Sequence, residues 1–478
     1  MATQVAVSAP RTITRWSLLD HQVESDAAAA GATTPWVPKP LEPKTPKAMN
    51  ASVYQAISFT VDTATEDPAL QKLVKKHVLD VRPELKNIRF ALADLSKGGK
   101  PLFAGNNLAG PAGDTRDLRT EPTFGGSMVK IAAMLTAYQL HYDLNVLAQT
   151  HKPALTTREE LFQTAWETWV ATQDPAKGQP LKELAKGSAL QTQGRLVKKN
   201  GAEFALAYNS WNGVHTWKRK IKGKFEDIED GAPNLENIFN VISGSPLKVE
   251  FKQTPTPEKT GMALGEFASP SGKPFYERMY AMIHMSNNLT TASCIMDLGY
   301  LYIASTLLQT GLFSVLQGGL WLSAPYPGLG TAKLWVQNPV SQHEQVVRGK
   351  VNTSRRYQVS SALAATAFAA LLGKRRLVSP HASDEMLYLM DKNKHTPGGS
   401  ATRSPLIDPL MRAVKRGCSK LGLVGLSTGD CVYIERDNDK KTKTLRYAAA
   451  LVDWDDVDDT IMSDLANGLD EAIEQNNP

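Results

Sequence analysis

Apolar residues recur at helical spacing at Leu70, Leu73, Val74 and Val78, directly behind Asp67 and Pro68. This predicts a helix with a capping aspartate and a first-turn proline. From Ile88 to Leu95 the pattern tightens to alternation, breaks at Ser96-Lys97-Gly98-Gly99-Lys100 and resumes from Leu102 to Gly105, as a β-hairpin would. The run Ile131-Ala132-Ala133-Met134-Leu135 lies in a further helix, which Ser127 is expected to open. Tyr276 to Leu298 reads as helix, loop, helix; Arg355 to Leu372 as an alanine-rich helix; Ser383 to Met390 as another. Three strands follow, at Lys420 to Val424, Asp430 to Glu435 and Leu445 to Val452, and the chain closes on a helix with Ile461, Leu465, Leu469 and Ile473 on one face. The order is helix, hairpin, helical middle, three strands, helix. It predicts an α+β fold in which an antiparallel sheet built from both chain ends packs against an all-helical region.

Two stretches depart from this pattern. Residues 1–50 are rich in Ala, Thr and Pro, with Pro35, Pro38, Pro40, Pro43 and Pro46 in one short run, and read as a flexible leader. Residues 143–275 scatter Trp166, Trp169, Trp211 and Trp217 among polar, Gly- and Lys-rich segments and carry the basic run Lys218-Arg219-Lys220-Ile221-Lys222-Gly223-Lys224. The tryptophans are read as core rather than as a cleft lining, and the basic run as a solvated face. The expected organisation is a leader, a main domain made of 51–142 and 276–478, and an inserted lid or subdomain over 143–275.

Composition narrows the function classes. The chain has 478 residues, 42 % hydrophobic and 21 % charged, an ordinary globular balance with room for a large core. A formal charge of +6 is mild at this size and points away from nucleic acid. No apolar run is long enough to span a bilayer. Met1 to Asp20 holds no apolar h-region, so no standard secretion signal is read and the cytoplasm is the default location, the periplasm or the exterior applying if the start is trimmed. Cys294, Cys418 and Cys431 form no paired spacing, so neither a disulfide scaffold nor a metal site is expected, and no cofactor is implied. The acidic cluster Asp453, Asp455, Asp456, Asp458 and Asp459 is read as a cap for the last helix rather than a metal loop.

The candidate chemistry starts at Gly125-Gly126-Ser127-Met128-Val129-Lys130. A serine hydroxyl is a weak nucleophile that needs a base, and a lysine with a lowered pKa three residues on can supply one. Two further motifs follow in order, Ser286-Asn287-Asn288 and Lys420-Leu421-Gly422. Together, Ser127-x-x-Lys130, Ser286-x-Asn288 and Lys420-x-Gly422 resemble the signature trio of the serine β-lactamases and penicillin-binding proteins, the class A branch above all. The resemblance covers roughly 50–142 and 276–478. It implies a β-lactamase/transpeptidase-like fold and a small-molecule or peptide acyl donor as partner. Ser127 would be the nucleophile and Lys130 its base; Ser286 would pass a proton to the leaving group, helped by Lys420. Asn288 would hold a substrate amide and Lys130, Gly422 would let substrate approach the strand, and the N–H groups of Ser127 and Leu423 would form the oxyanion hole.

The match also fails in places. Leu421 and Leu423 stand where the family usually has hydroxyl residues that help bind a substrate carboxylate, so Lys420 alone must do that work or the substrate lacks the carboxylate. Asn338-Pro339 lies where a Glu-Pro pair would activate the deacylating water; Glu344 is nearby at the wrong spacing. Asn287 replaces the usual Asp, a change expected to be structural and tolerated. The gap from Lys130 to Ser286 is far longer than compact β-lactamases use. These departures define the competing reading, a non-catalytic ligand- or partner-binding module on the same fold. A lysine pair in a cleft argues for the enzyme, because a retired site has no need to desolvate two amines.

Overall fold

The computed structural model describes residues 61–109, 117–171, 193–199, 202–209, 214–221, 224–228, 233–253, 273–299, 302–303, 306–307, 310–314, 318–322, 358–392, 404–424, 427–454 and 458–478. The leader, Trp211, Asn338, Glu344, Asp455 and Asp456 lie outside these residues.

The first helix, α1 (Pro68–Val74), is capped as expected: the Asp67 carboxylate accepts from the N–H groups of Ala69 and Leu70. A turn at Lys75–Leu79 extends it, and the hairpin β1 (Arg89–Asp94) and β2 (Leu102–Gly105) follows. The long helix α2 (Lys130–Thr150) is buried on nearly every side and forms the axis of the helical half; α3 (Arg158–Ala171) comes next. The expectation of a helical middle is corrected at this point. β3 (Gln193–Lys199), β4 (Ala202–Asn209), β5 (Val214–Ile221) and β6 (Lys224–Ile228) form a four-stranded antiparallel sheet, and β7 (Phe239–Ile242) pairs with β8 (Lys248–Phe251). The reason is in the chain: Phe204, Leu206 and Tyr208 alternate with Glu203, Ala205 and Ala207, a period of two that the many lysines disguise.

The helix-loop-helix is α4 (Phe275–Ile283) and α5 (Asn288–Leu298). The alanine-rich segment is a short strand, Gln358–Ser360, leading into α6 (Ala362–Gly373), and α7 (Pro380–Met390) follows. The closing strands run longer than read from sequence, as β9 (Val414–Val424), β10 (Ser427–Asp437) and β11 (Thr444–Trp454). The last helix is α8 (Asp459–Asn476), capped by Asp458.

Both ends of the chain meet in one five-stranded sheet of order β9-β10-β11-β1-β2, antiparallel throughout, with β1 pairing β11 so that Ala91 faces Ala450. Alternation on these strands feeds two cores. Phe90, Leu92, Tyr447, Ala449 and Leu451 pack under α1 and α8 with Leu70, Val74, Leu465 and Leu469. Ala91, Ala93, Ala448 and Ala450 face the other way, towards the small residues of α6, letting that helix lie close to the sheet. Each fully buried leucine or phenylalanine contributes roughly 1.5–3 kcal/mol. A buried polar cluster stitches α8 to the sheet: Arg436, 0 % exposed, pairs with Asp470, which also accepts from Tyr447 Oη at 2.8 Å. Among the described residues, no helix is long and apolar enough to cross a membrane.

Where α8 crosses the Lys75–Leu79 turn, a Cβ on Gly468 would lie 2.4 Å from the carbonyl oxygen of His77. Backbone cannot yield as a flexible side chain does, so Gly468→Ala should lose about 1–3 kcal/mol in urea unfolding; an unchanged midpoint would refute this account of the contact.

Candidate functional site

Ser127 does not open the long helix. It lies half-buried in a single 3-10 turn, Gly126–Val129, and α2 starts only at Lys130. The turn is set by Gly126, whose φ of 51° is in the left-handed region, and by the Gly125 N–H, which donates to Gln358 O at 3.0 Å. Ser127 comes three positions before Lys130, the spacing that a 3-10 turn eclipses.

Lys130 is 0 % exposed. Its Nζ donates to the Ser286 carbonyl at 2.6 Å and to Asn288 Oδ1 at 2.8 Å, and lies 3.2 Å from Ser286 Oγ. Lys420, 1 % exposed on β9, reaches the same hydroxyl from the opposite side at 2.9 Å and donates to its neighbour's carbonyl, Leu421 O, at 3.0 Å. Ser286 is therefore the meeting point of two amines. It sits between α4 and α5 with φ 56°, a conformation that turns its carbonyl to one lysine and its hydroxyl to both. The helix cap beside it is Asn287, whose Oδ1 accepts from Thr290 N at 3.0 Å, leaving Ser286 and Asn288 to the lysines.

Gly422 seats β9 against the Ser127 turn. A Cβ there would lie 2.5 Å from Gly125 O, 2.7 Å from Met128 N and 3.1 Å from Ser127 N. The backbone of Leu423 follows, in register with Thr428, and Leu421 is half-buried opposite Asp430. The structure thus gathers Lys130, Ser286, Asn288 and Lys420 by direct hydrogen bonds, and brings the Gly422 strand onto the Ser127 turn.

Burial shapes the electrostatics. Desolvation, then the neighbouring Lys420, lowers Lys130 to about 5; desolvation, opposed by Asp430, lowers Lys420 to about 7. At neutral pH Lys130 is an amine with two N–H bonds, which its two carbonyl acceptors use, and one lone pair. Sequence reasoning missed Asp430 and its partners Ser404 and Ser419; the signal was a carboxylate inside an otherwise apolar strand, Cys431 to Ile434 following it. Among the described residues no cluster of His, Cys, Asp and Glu could hold a metal ion.

No protein-family model matches the chain, and no curated protein matches it. Solved structures do. A class A β-lactamase from Bacteroides cellulosilyticus is 9 % identical, with a TM-score of 0.37 over 86 % of this chain and 98 % of its own. A β-lactamase from Chitinophaga pinensis is 11 % identical, with a TM-score of 0.36 over 86 % and 99 %. PBP-A is 13 % identical, with a TM-score of 0.33 over 86 % and 98 %. The fold is α+β: the sheet is closed by both chain ends, the helical half lies beside it, and the three motifs stand on a turn, a loop and an edge strand.

A lysine that is neutral when folded and charged when unfolded weakens the fold at every pH between its two titrations, about 5 and 10.5 here. The unfolded chain binds the extra proton, so this penalty grows as pH falls from 10.5 to 5. Lys130→Met should therefore gain stability relative to wild type as pH drops from about 9 to about 6. A pH-independent gap between the two denaturation midpoints would contradict a neutral Lys130.

Proposed function

We propose that the chain is a β-lactamase-related serine hydrolase or acyltransferase that cleaves an amide or ester through an acyl-Ser127 intermediate. The observation that carries this is the convergence of the Lys130 and Lys420 amines on Ser286 Oγ, at 3.2 and 2.9 Å, beside the turn that holds Ser127. Lys130, neutral at pH 7, takes the Ser127 hydroxyl proton as its oxygen attacks the acyl carbonyl. The developing oxyanion is received by the N–H groups of Ser127 and Leu423, which Gly422 allows to come close together. Ser286 gives its proton to the leaving nitrogen or oxygen and is resupplied by the amines on either side. Asn288 holds Lys130 and a substrate amide.

Leu421, half-buried next to Lys420, favours one other reading, a cleft that binds a ligand without reacting. Intact-mass analysis separates the two. Incubation with a penicillin or an activated ester should give a covalent adduct on Ser127 that Ser127→Ala lacks; no adduct with any acyl donor would leave only the binding module. A nitrocefin turnover assay alongside then distinguishes hydrolysis from a stalled acyl-enzyme.

The pH profile of acylation is a second expectation. The rate should climb as Lys130 loses its proton near pH 5 and fall as Lys420 loses its own near pH 7, giving a bell between the two. Lys130→Ala should slow adduct formation by about 10²–10⁴ and remove the acid limb. Adduct formation at the wild-type rate in that variant would rule Lys130 out as the base.

A further inference from the structure

Behind the strand that bears Lys420 lies a carboxylate sealed from solvent. Asp430, 0 % exposed on β10, is in register with Leu421 and one rung from Lys420, whose own cross-strand partner is Cys431. Its Oδ1 accepts from Ser419 Oγ at 2.8 Å; its Oδ2 accepts from Ser404 Oγ at 2.5 Å and from Leu406 N at 3.5 Å. Three donors favour the ionised form against the burial that pushes its pKa up.

We propose that Asp430 is the counter-charge that keeps the proton on Lys420, a positioning residue that acts through that lysine and gives the two site amines different jobs. The consequence for catalysis rests on the reading of Ser127 as nucleophile; the proton placement does not. Two buried amines sharing one hydroxyl have no intrinsic reason to differ, and each repels the other's proton. The difference is in what surrounds them. The charge acting on Lys130 is Lys420, whereas the charge acting on Lys420 is Asp430. Several other ionisable groups described on or beside the neighbouring strands are neutral or have partners of their own. Cys431, on Lys420's rung, is a thiol that burial keeps neutral. Lys392 pairs with Asp408, whose other oxygen accepts from Ser404 N at 2.7 Å, and Arg416 pairs with Asp391. The Gly126–Val129 turn and α6 bring no ionisable side chain. Asp430 is thus the charge set to hold a proton on Lys420 while Lys130 stays free of one.

Lysine-selective ¹³C NMR, with the Lys420 resonance assigned through Lys420→Arg, reads this proton directly and needs no substrate. In Asp430→Asn the Lys420 midpoint should fall by about one pH unit or more, and in Ser419→Ala by less in the same direction. Acylation in Asp430→Asn should have its alkaline limb moved down in step, leaving about a tenth of the wild-type rate at pH 8. Midpoints unchanged from wild type would overturn the inference whatever the acylation assay gives. A wild type that forms no adduct would overturn the nucleophile reading and leave the titration result standing. Should Asp430→Asn fail to give a cooperative melt, Ser419→Ala decides.

Discussion

Taking an amine out of water costs several kcal/mol unless partners replace the lost hydration. Lys130 and Lys420 are 0 and 1 % exposed, and both find a partner in the same serine. Ser286 offers one oxygen to two nitrogens and its carbonyl to one of them, Asn288 supplies a further acceptor, and Leu421 O completes the set. No single element could assemble this. Lys130 comes from the start of the central helix, Ser286 and Asn288 from a turn 156 and 158 residues later, and Lys420 from an edge strand 134 residues beyond Ser286. The site draws on both halves of the fold, which the shared hydrophobic core holds together.

That requirement explains the sheet. β9 must bring Lys420 to Ser286 and still lie flat on the Ser127 turn, and glycine at 422 removes the atoms that would collide with Gly125 O and Met128 N. β10 lends rigidity by pairing with β9 from Val414 to Val424, and it buries Asp430 where its charge is felt through the strand. On the other side, β1 and β11 carry small residues towards α6 and large ones towards α1 and α8. The site thus stands on a sheet buried on both faces, and it can tolerate two costly amines because the scaffold under it has little freedom to relax.

Much of this was legible in the sequence because it is local or periodic. Asp67-Pro68, the glycine turn of the first hairpin, the paired helices around Ser286 and the apolar stripe of α8 all announce themselves within a few residues. What was misread depends on contacts that a linear pattern does not encode. Ser127 was expected to open a helix; the left-handed Gly126 and the Gly125 bond to Gln358, more than two hundred residues away, make a 3-10 turn instead. The middle was expected to be helical, yet it contains a four-stranded sheet, since the many lysines along its strands blur a period of two in the sequence. Asn287, by contrast, was expected to be a structural replacement for the usual Asp, and it caps α5, a role that either side chain can fill. Asp430 went unread because a lone aspartate in a strand gains meaning only from Ser404, Ser419 and the lysine on the next rung.

Ser286 itself shows where specificity for chemistry overrides comfort. A non-glycine residue held at φ 56° costs on the order of 1 kcal/mol or more, and glycine would relieve it. Glycine would also keep the carbonyl that accepts from Lys130 at 2.6 Å. It would not keep the hydroxyl, the oxygen that lies 3.2 Å from the Lys130 amine and 2.9 Å from the Lys420 amine. Alanine would fare worse, keeping the strain and losing the oxygen. A position where backbone economy asks for glycine and serine stands instead is one where the oxygen is required. At this position the oxygen joins the two amines, so the strain at Ser286 and the burial of the lysines are one constraint seen from two sides.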